Sequence, residues 1–181
     1  MPTESETLHA YIGKADFARG TISEIDYKDV NSFPGVIDVF TAKDIPGIND
    51  ISPTGMNDEP VLVDKEVSFF GQPLFVVIAS TRAQARMAAS LARIRKEEKE
   101  PFLDISDKNH KDYKLVTEPL MLERGNVAEG LSRSKNRVSG NMHIGGQDHF
   151  YLEGHIAIAK PEESGDLLVF SSTQHPSEVQ H

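Results

Sequence analysis

The sequence contains no cysteine, and that absence removes several kinds of chemistry at once. Disulfides, thiolate zinc sites, iron–sulfur clusters on this chain and cysteine nucleophiles are all excluded. Positive charge is also scarce: 19 Lys and Arg stand against 28 Asp and Glu, for a formal net charge of -9. Phosphate backbones and anionic membranes attract clustered Lys and Arg, so neither nucleic acid nor a membrane is an expected partner. No apolar run approaches the ~20 residues of a transmembrane helix. The opening Met1-Pro2-Thr3-Glu4-Ser5-Glu6 is acidic and polar, unlike a secretory signal. Together these features lead us to expect a cytoplasmic protein. Phosphate-cradling glycine loops and the G-x-S-x-G of a serine nucleophile are missing as well.

What remains is a chain of 181 residues, enough for one large or two small domains at ~150 residues each. A chain of this length buries about two-thirds of its unfolded surface. Its apolar fraction, 38%, is low, as for a protein with much surface or with faces meant for a partner.

Alternating apolar residues predict strands over 7–14, 20–27 and 36–41. A short helix is expected over 26–33, with Asp26 as its cap. Residues 43–57, rich in Asp, Pro, Gly and Asn, read as a surface loop. Residues 60–63 and 66–70 read as short extended pieces, and the unbroken apolar run 74–79 suits a strand covered on both faces. The clearest helix starts at Thr81, where Thr81 and Gln84 form a T-x-x-Q capping box. Met87, Leu91 and Ile94 mark its expected buried face, and Arg82, Arg86, Ser90 and Arg93 its wet one. Residues 95–100 are almost all charged and suit either a continued helix or an exposed strand, until Pro101 intervenes. Weak periodicity over 103–122 reads as a linker. Beyond it, strands are expected over 137–144, 155–159 and 167–171, and a helix begins at Pro176. Short strands and a one-turn helix need partners, so the part from about Arg124 is expected to be an incomplete domain.

Several side chains in that second part bear on function. His143, His149 and His155 recur every six residues, with His175 and His181 repeating the interval. An even spacing places them on one face of a strand, yet six residues of strand span roughly 20 Å, too far for a shared ion. Paired or surface histidines are the expectation. Asp148 and Glu153 flank Phe150-Tyr151 and could form an acid/base dyad, or serve as ordinary polar positions of a turn. Gln72, between Gly71 and Pro73, is expected to satisfy the backbone of a tight turn. Gly145-Gly146-Gln147 differs in kind: two glycines admit a ligand or another backbone, and the amide that follows can both donate and accept.

These residues also carry a family resemblance. Gly145-Gly146-Gln147-Asp148-His149-Phe150-Tyr151-Leu152-Glu153-Gly154 resembles the G-G-Q-[ED]-H-F-Y-L-E segment of molybdenum-binding subunits of the xanthine dehydrogenase/aldehyde oxidase family. Ser171-Ser172-Thr173-Gln174-His175-Pro176-Ser177-Glu178-Val179-Gln180-His181 resembles the segment that follows it there. Earlier in the chain, Ala18-Arg19-Gly20, Pro34-Gly35-Val36, Thr41-Ala42-Lys43-Asp44-Ile45-Pro46-Gly47 and Phe69-Phe70-Gly71-Gln72-Pro73 look like the family's α/β-hammerhead domain.

The resemblance implies an α+β chain: a hammerhead domain over 1–103, a linker over 104–123, and the β-rich opening part of a molybdopterin-binding domain over 124–181. It implies a molybdenum–pyranopterin cofactor in the full enzyme, with iron–sulfur clusters and FAD on other domains or subunits. The expected partners are the remainder of the molybdenum subunit and the FeS/FAD subunit, with self-association also expected from unpaired edge strands. The implied activity is oxidative hydroxylation of hypoxanthine and xanthine. Gln147 matches the family glutamine that contacts the oxo ligand of molybdenum; its amide donates, which a glutamate would not do. Gly146 and Phe150 are carried over as further cofactor contacts. No catalytic residue is assigned, because the family's glycine-rich cofactor segment, substrate-orienting Arg and Glu residues and glutamate base correspond to positions beyond His181. The chain alone is therefore expected to be inactive. The alternatives are a non-catalytic split or remnant interaction module, or a hydroxylase of aldehydes or other N-heterocycles. One departure stands out: family members show an apolar strand after the capped helix, where this sequence has the charged run 94–100.

Overall fold

The computed structural model describes residues 6–53, 55–104, 117–152 and 154–180. The chain divides into two compact units, Met1–Asn109 and His110–His181. The first runs β1 (His9–Lys14), β2 (Gly20–Asp26), α1 (Lys28–Asn31), β3 (Val36–Thr41), β4 (Glu66–Val67), β5 (Pro73–Ala79), α2 (Arg82–Ala89) and β6 (Arg93–Glu98). The second contains α3 (Val127–Arg133), β7 (Ala157–Pro161), β8 (Leu167–Ser171) and α4 (Pro176–Gln180).

Two antiparallel sheets build the first unit, in the orders β1-β5-β3 and β4-β2-β6. β5 is central because its sequence is almost wholly apolar: Leu74, Phe75, Val77 and Ala79 are buried. Its remaining face is half-covered, with Val76 and Ile78 partly exposed, rather than sealed on both sides as the sequence suggested. Gly13 sits opposite Phe75 in the register, and a Cβ there would run into the Phe75 ring. The glycine is thus the space that the ring fills. Tyr27 packs edge-on against the same ring at 5.1 Å. Burial, with the charge of Asp44 adding, pushes its hydroxyl up to about 12. Gly35 turns the chain at φ 88, a conformation that L side chains avoid.

Helix α2 begins as its cap predicts, with Thr81 Oγ1 accepting from the backbone N–H of Gln84 at 3.2 Å. Its buried face is different from the expectation. Ala85, Ala88 and Ala89 are buried, while Met87 is 58% exposed. The helix ends at Ala89, so Leu91 lies past it and Ile94 belongs to β6. Small alanines let the helix settle close to the sheet, and the larger Met87 is left outside.

The charged run becomes strand β6, paired to β2 through Asp26↔Arg93, Ile25↔Ile94 and Glu24↔Arg95. Its charges are matched along the edge: Arg93–Asp29 at 2.6 Å, Arg95–Glu24 at 2.8 Å and Lys96–Asp16 at 2.6 Å. Lys96 also lies 4.5 Å from the centroid of the Phe17 ring. Its hydrogen bond to Asp16 holds the ammonium above the ordinary lysine value. Gln72 is buried and its Oε1 accepts from Ser68 N–H at 2.8 Å, closing the turn as expected.

Shorter elements follow local signals. Asp26 Oδ1 accepts from Lys28 N–H at 2.9 Å at the start of α1, although Tyr27 occupies the cap position itself. The loop after β3 opens with one 3-10 turn, Ala42–Asp44, closed by a Thr41–Asp44 capping box. Asn49 then bridges to Leu62, donating to its carbonyl at 2.7 Å and accepting from its N–H at 3.1 Å.

In the second unit, β7 and β8 form an antiparallel hairpin with Ala157↔Ser171 and Pro161↔Leu167 at its two ends. The strand expected over 137–144 does not form; those residues are exposed and irregular, since no partner strand lies beside them among the described residues. Helix α3 was not foreseen. It is capped by Asn126 Oδ1, which accepts from Glu129 N–H at 3.0 Å, and it carries an Arg133–Glu129 ion pair at 2.6 Å. Of the expected linker, 105–116 lies outside the described residues, and 117–123 is exposed and irregular. Among the described residues of this unit none is buried, and Ile158 alone is half-buried.

Candidate functional site

The segment from Gly145 to Leu152 is irregular and exposed. Within it, Asp148 Oδ1 accepts from Phe150 N–H at 2.7 Å. That contact is an Asx turn, a local motif that aspartate favours. It holds Phe150 in the left-handed region at φ 51 and leaves the ring 85% exposed. The Asp148 carboxylate is thereby occupied with the backbone, which supports its reading as a turn residue over an acid/base role; Glu153 lies outside the described residues.

His149 and Tyr151 stack with centroids 5.6 Å apart and planes 9° apart, and Tyr151 meets His155 edge-on at 6.3 Å. These rings form a short aromatic ladder. No group of three or more metal-ligating side chains occurs among the described residues. A Cβ on Gly145 or Gly146 would meet nothing within 4 Å, so the described residues do not themselves use the space these glycines leave. Gln147 is exposed and makes no hydrogen bond among the described residues, so its amide is free to donate.

The second motif is joined to the first by the hairpin. Ile156 N–H donates to Ser172 Oγ at 2.8 Å, and Ser172 N–H donates to the Ile156 carbonyl at 3.0 Å. The segment that enters β7 and the segment that leaves β8 therefore meet at one end of the hairpin. His175 N–H then donates to Thr173 Oγ1 at 3.0 Å, which sets the turn into α4.

Sequence reasoning missed one feature of the first unit: a cleft of about 660 Å³ bordered by residues 11–14 of β1 and by Ala83, Arg86, Met87, Ala89 and Ser90. The exposure of Met87 is its signal, hidden because helical spacing favoured Met87 for the core.

Comparison with known proteins bears on both units. Residues 1–100 match the family described as "Aldehyde oxidase and xanthine dehydrogenase, a/b hammerhead domain", and residues 108–181 match the "Molybdopterin cofactor-binding domain". The chain is 38% identical over 181 residues to a xanthine dehydrogenase/oxidase of Felis catus, covering 99% of this chain and 13% of that protein. It is 32% identical over 181 residues to aldehyde oxidase 2 of Macaca fascicularis, again covering 99% of this chain and 13% of that protein. Among solved structures, the aldehyde oxidoreductase from Desulfovibrio gigas shares the fold with a TM-score of 0.82 at 24% identity, covering 94% of this chain and 21% of that one. The chain thus spans about an eighth of the length of these curated relatives, 13% in each case.

A molybdopterin group can be tested against the geometry above. The donor chemistry fits, because the unengaged Gln147 amide can donate to an oxygen ligand and the Phe150 ring is free to lie against a planar group. The enclosure does not come from this segment, whose described residues are exposed throughout. No helix among the described residues is long and apolar enough to cross a membrane.

Proposed function

Because the chain belongs to the aldehyde oxidase and xanthine dehydrogenase family, we propose that it is part of the molybdenum-cofactor subunit of a xanthine dehydrogenase. In this reading it acts in the cytoplasm on hypoxanthine and xanthine, with electrons leaving through iron–sulfur clusters and FAD on other domains or subunits. The hammerhead domain occupies 1–103, a connecting stretch 104–123, and the start of the cofactor domain 124–181. When bound, the molybdenum group supplies the oxygen-transfer and two-electron chemistry. This chain's own task is narrower. Gln147 would donate its amide N–H to the bound molybdenum group, Gly146 would leave room beside it, and Phe150 would present its ring.

The observation that carries this reading is the junction at Ile156 and Ser172, which brings the stretch that follows Gln147 and the stretch that leads into His175 to one end of a single hairpin. The wording His175-Pro176-Ser177-Glu178 favours a xanthine dehydrogenase over an aldehyde oxidase. The chain alone neither holds the cofactor tightly nor turns over substrate, since one amide and some backbone cannot orient a reacting pair.

The test is co-expression of this chain with the remainder of a family molybdenum subunit and its FeS/FAD partner, assayed for bound molybdenum and xanthine oxidation. We expect metal and turnover in the assembly, no xanthine-dependent dye reduction by the chain alone, and slower turnover with metal retained in Gln147→Ala. An assembly that folds but holds no molybdenum refutes the proposal. Turnover of aldehydes with none of xanthine moves the substrate assignment to aldehydes.

A further inference from the structure

Strand β6 stops at Glu98, yet the residues that follow it stay fastened to the body of the first unit. Lys99 N–H donates to the Arg19 carbonyl at 2.9 Å. The Arg19 side chain reaches further along the same stretch: its Nη1 donates to the Glu100 carbonyl at 3.0 Å, and its guanidinium lies 4.1 Å from the centroid of the Phe102 ring. One residue thus engages 99, 100 and 102 in turn, through its carbonyl, an N–H and its planar face. Pro101 stands between the last two, with a fixed φ and no N–H to place.

Two neighbours hold the same spot. A Cβ on Gly20 would run into the Glu97 carbonyl oxygen, so the glycine lets the end of β6 come close beside Arg19. From β4, Glu66 takes the Lys99 ammonium at 3.5 Å while accepting from Thr21 Oγ1 at 2.8 Å. The grip then ends abruptly: Phe102 is 38% exposed and Leu103 85%.

We propose that Arg19 is a latch that sets where, and in which direction, the chain leaves the first unit. Closed, it releases the chain at Leu103. Open, it adds residues 99–102 to the span leading away, about 13–14 Å of extended chain. Once a span exceeds what its ends require, added length lowers the effective concentration of each end for the other. Arg19 is therefore a positioning residue for the stretch that follows, and lysine is no equivalent, because an ammonium has neither the fork nor the flat face.

The test is backbone 15N relaxation on the full 181-residue chain. We expect order parameters near the rigid value of about 0.85 at Lys99, Glu100 and Phe102, with a step down at Leu103. In Arg19→Ala the three should fall below about 0.6 while β5 stays rigid; Arg19→Lys should lie between. Hydrogen exchange at Lys99 should quicken about tenfold or more in Arg19→Ala, as for a stretch that opens locally. Because the chain has no cysteine, a nitroxide on Leu103→Cys reports position alone. It should broaden a compact set of amides in the chain with Arg19 and a weaker, wider set in Arg19→Ala. Residues 99–102 that remain rigid in Arg19→Ala overturn the proposal, and so does mobility there while Arg19 is present. If Arg19→Ala loosens β5 as well, a pair that keeps Arg19 decides: Phe102→Tyr retains a ring face and should hold residue 102, whereas Phe102→Leu should free it. Equal order parameters at residue 102 in that pair overturn the proposal.

Discussion

Both units of this chain are built from hydrogen-bonded elements, yet they hold apolar surface in opposite ways. In the first, Val30, Leu74, Phe75 and Val77 are each at most 1–2% exposed, because two sheets and α2 enclose them. In the second, a capped helix, a regular hairpin and an Asx turn all form, while Phe150 is 85% and Leu167 67% exposed. Caps, turns and hairpin pairing are local and need few residues. Burial needs layers. An isolated hairpin is marginal in water, whereas stability of a domain rests on the surface it removes from solvent.

The contrast can be broken most decisively by hydrogen exchange. Amides of β5 should be protected by on the order of 10³ or more, the folded-to-unfolded ratio of a stable domain, and those of β7 and β8 hardly at all. Equal protection in the two units of the isolated chain would dismiss the comparison. Next in size is a pair of truncations read by chemical denaturation. Phe75→Ala should cost about 3–5 kcal/mol, as for a buried aromatic ring. Leu167→Ala should stay within about 0.5 kcal/mol, as for an exposed position. A large loss at Leu167 would mean that the second unit has a core of its own.

Gly13→Ala comes third. Its Cβ drives into the Phe75 ring, and the expected loss is about 1–3 kcal/mol, typical of overpacking. Adding Phe75→Leu should recover part of it; no recovery would show that the clash lies elsewhere. The smallest effect is with pH. Glu66 is held below the ordinary carboxylate range chiefly by the Thr21 hydroxyl, with Lys99 adding. A depressed carboxylate stabilises the fold above its unfolded value and loses that contribution as pH falls through the folded one. The melting temperature of the first unit should therefore drop on acidification from about pH 5 to pH 3, and slightly less steeply in Glu66→Gln. Identical slopes would remove Glu66 from the account.

Much of the first unit was legible in the sequence because its signals are local and repeated. The run 74–79 announced the central strand, Thr81 announced the helix start, and Gln72 announced its turn. The helix's buried face was misread because Ala85, Ala88 and Ala89 have little hydrophobic weight, yet their smallness is what brings α2 onto the sheet. The charged run 94–100 gave no apolar pattern, so only its backbone pairing with β2, distant in sequence, shows that it is a strand. In the second unit, the alternation over 137–144 promised a strand that pairing did not supply. The candidate segment was readable by family likeness; its composition allowed only a place of ligand approach, and the Phe150 backbone and the Ile156–Ser172 junction are visible only in the fold.

That junction has an engineering consequence. Because the Gln147 and His175 segments are tied at the open end of the hairpin, the turn at its other end, where Gly165 adopts φ 89, is insulated from them by the length of both strands. Loop length adds cost only slowly, and exposed turn tips tolerate insertion. A reporter sequence spliced beside Ser164 should therefore leave the spacing of the two motifs unchanged, giving a handle by which this half of the molecule can be followed during assembly.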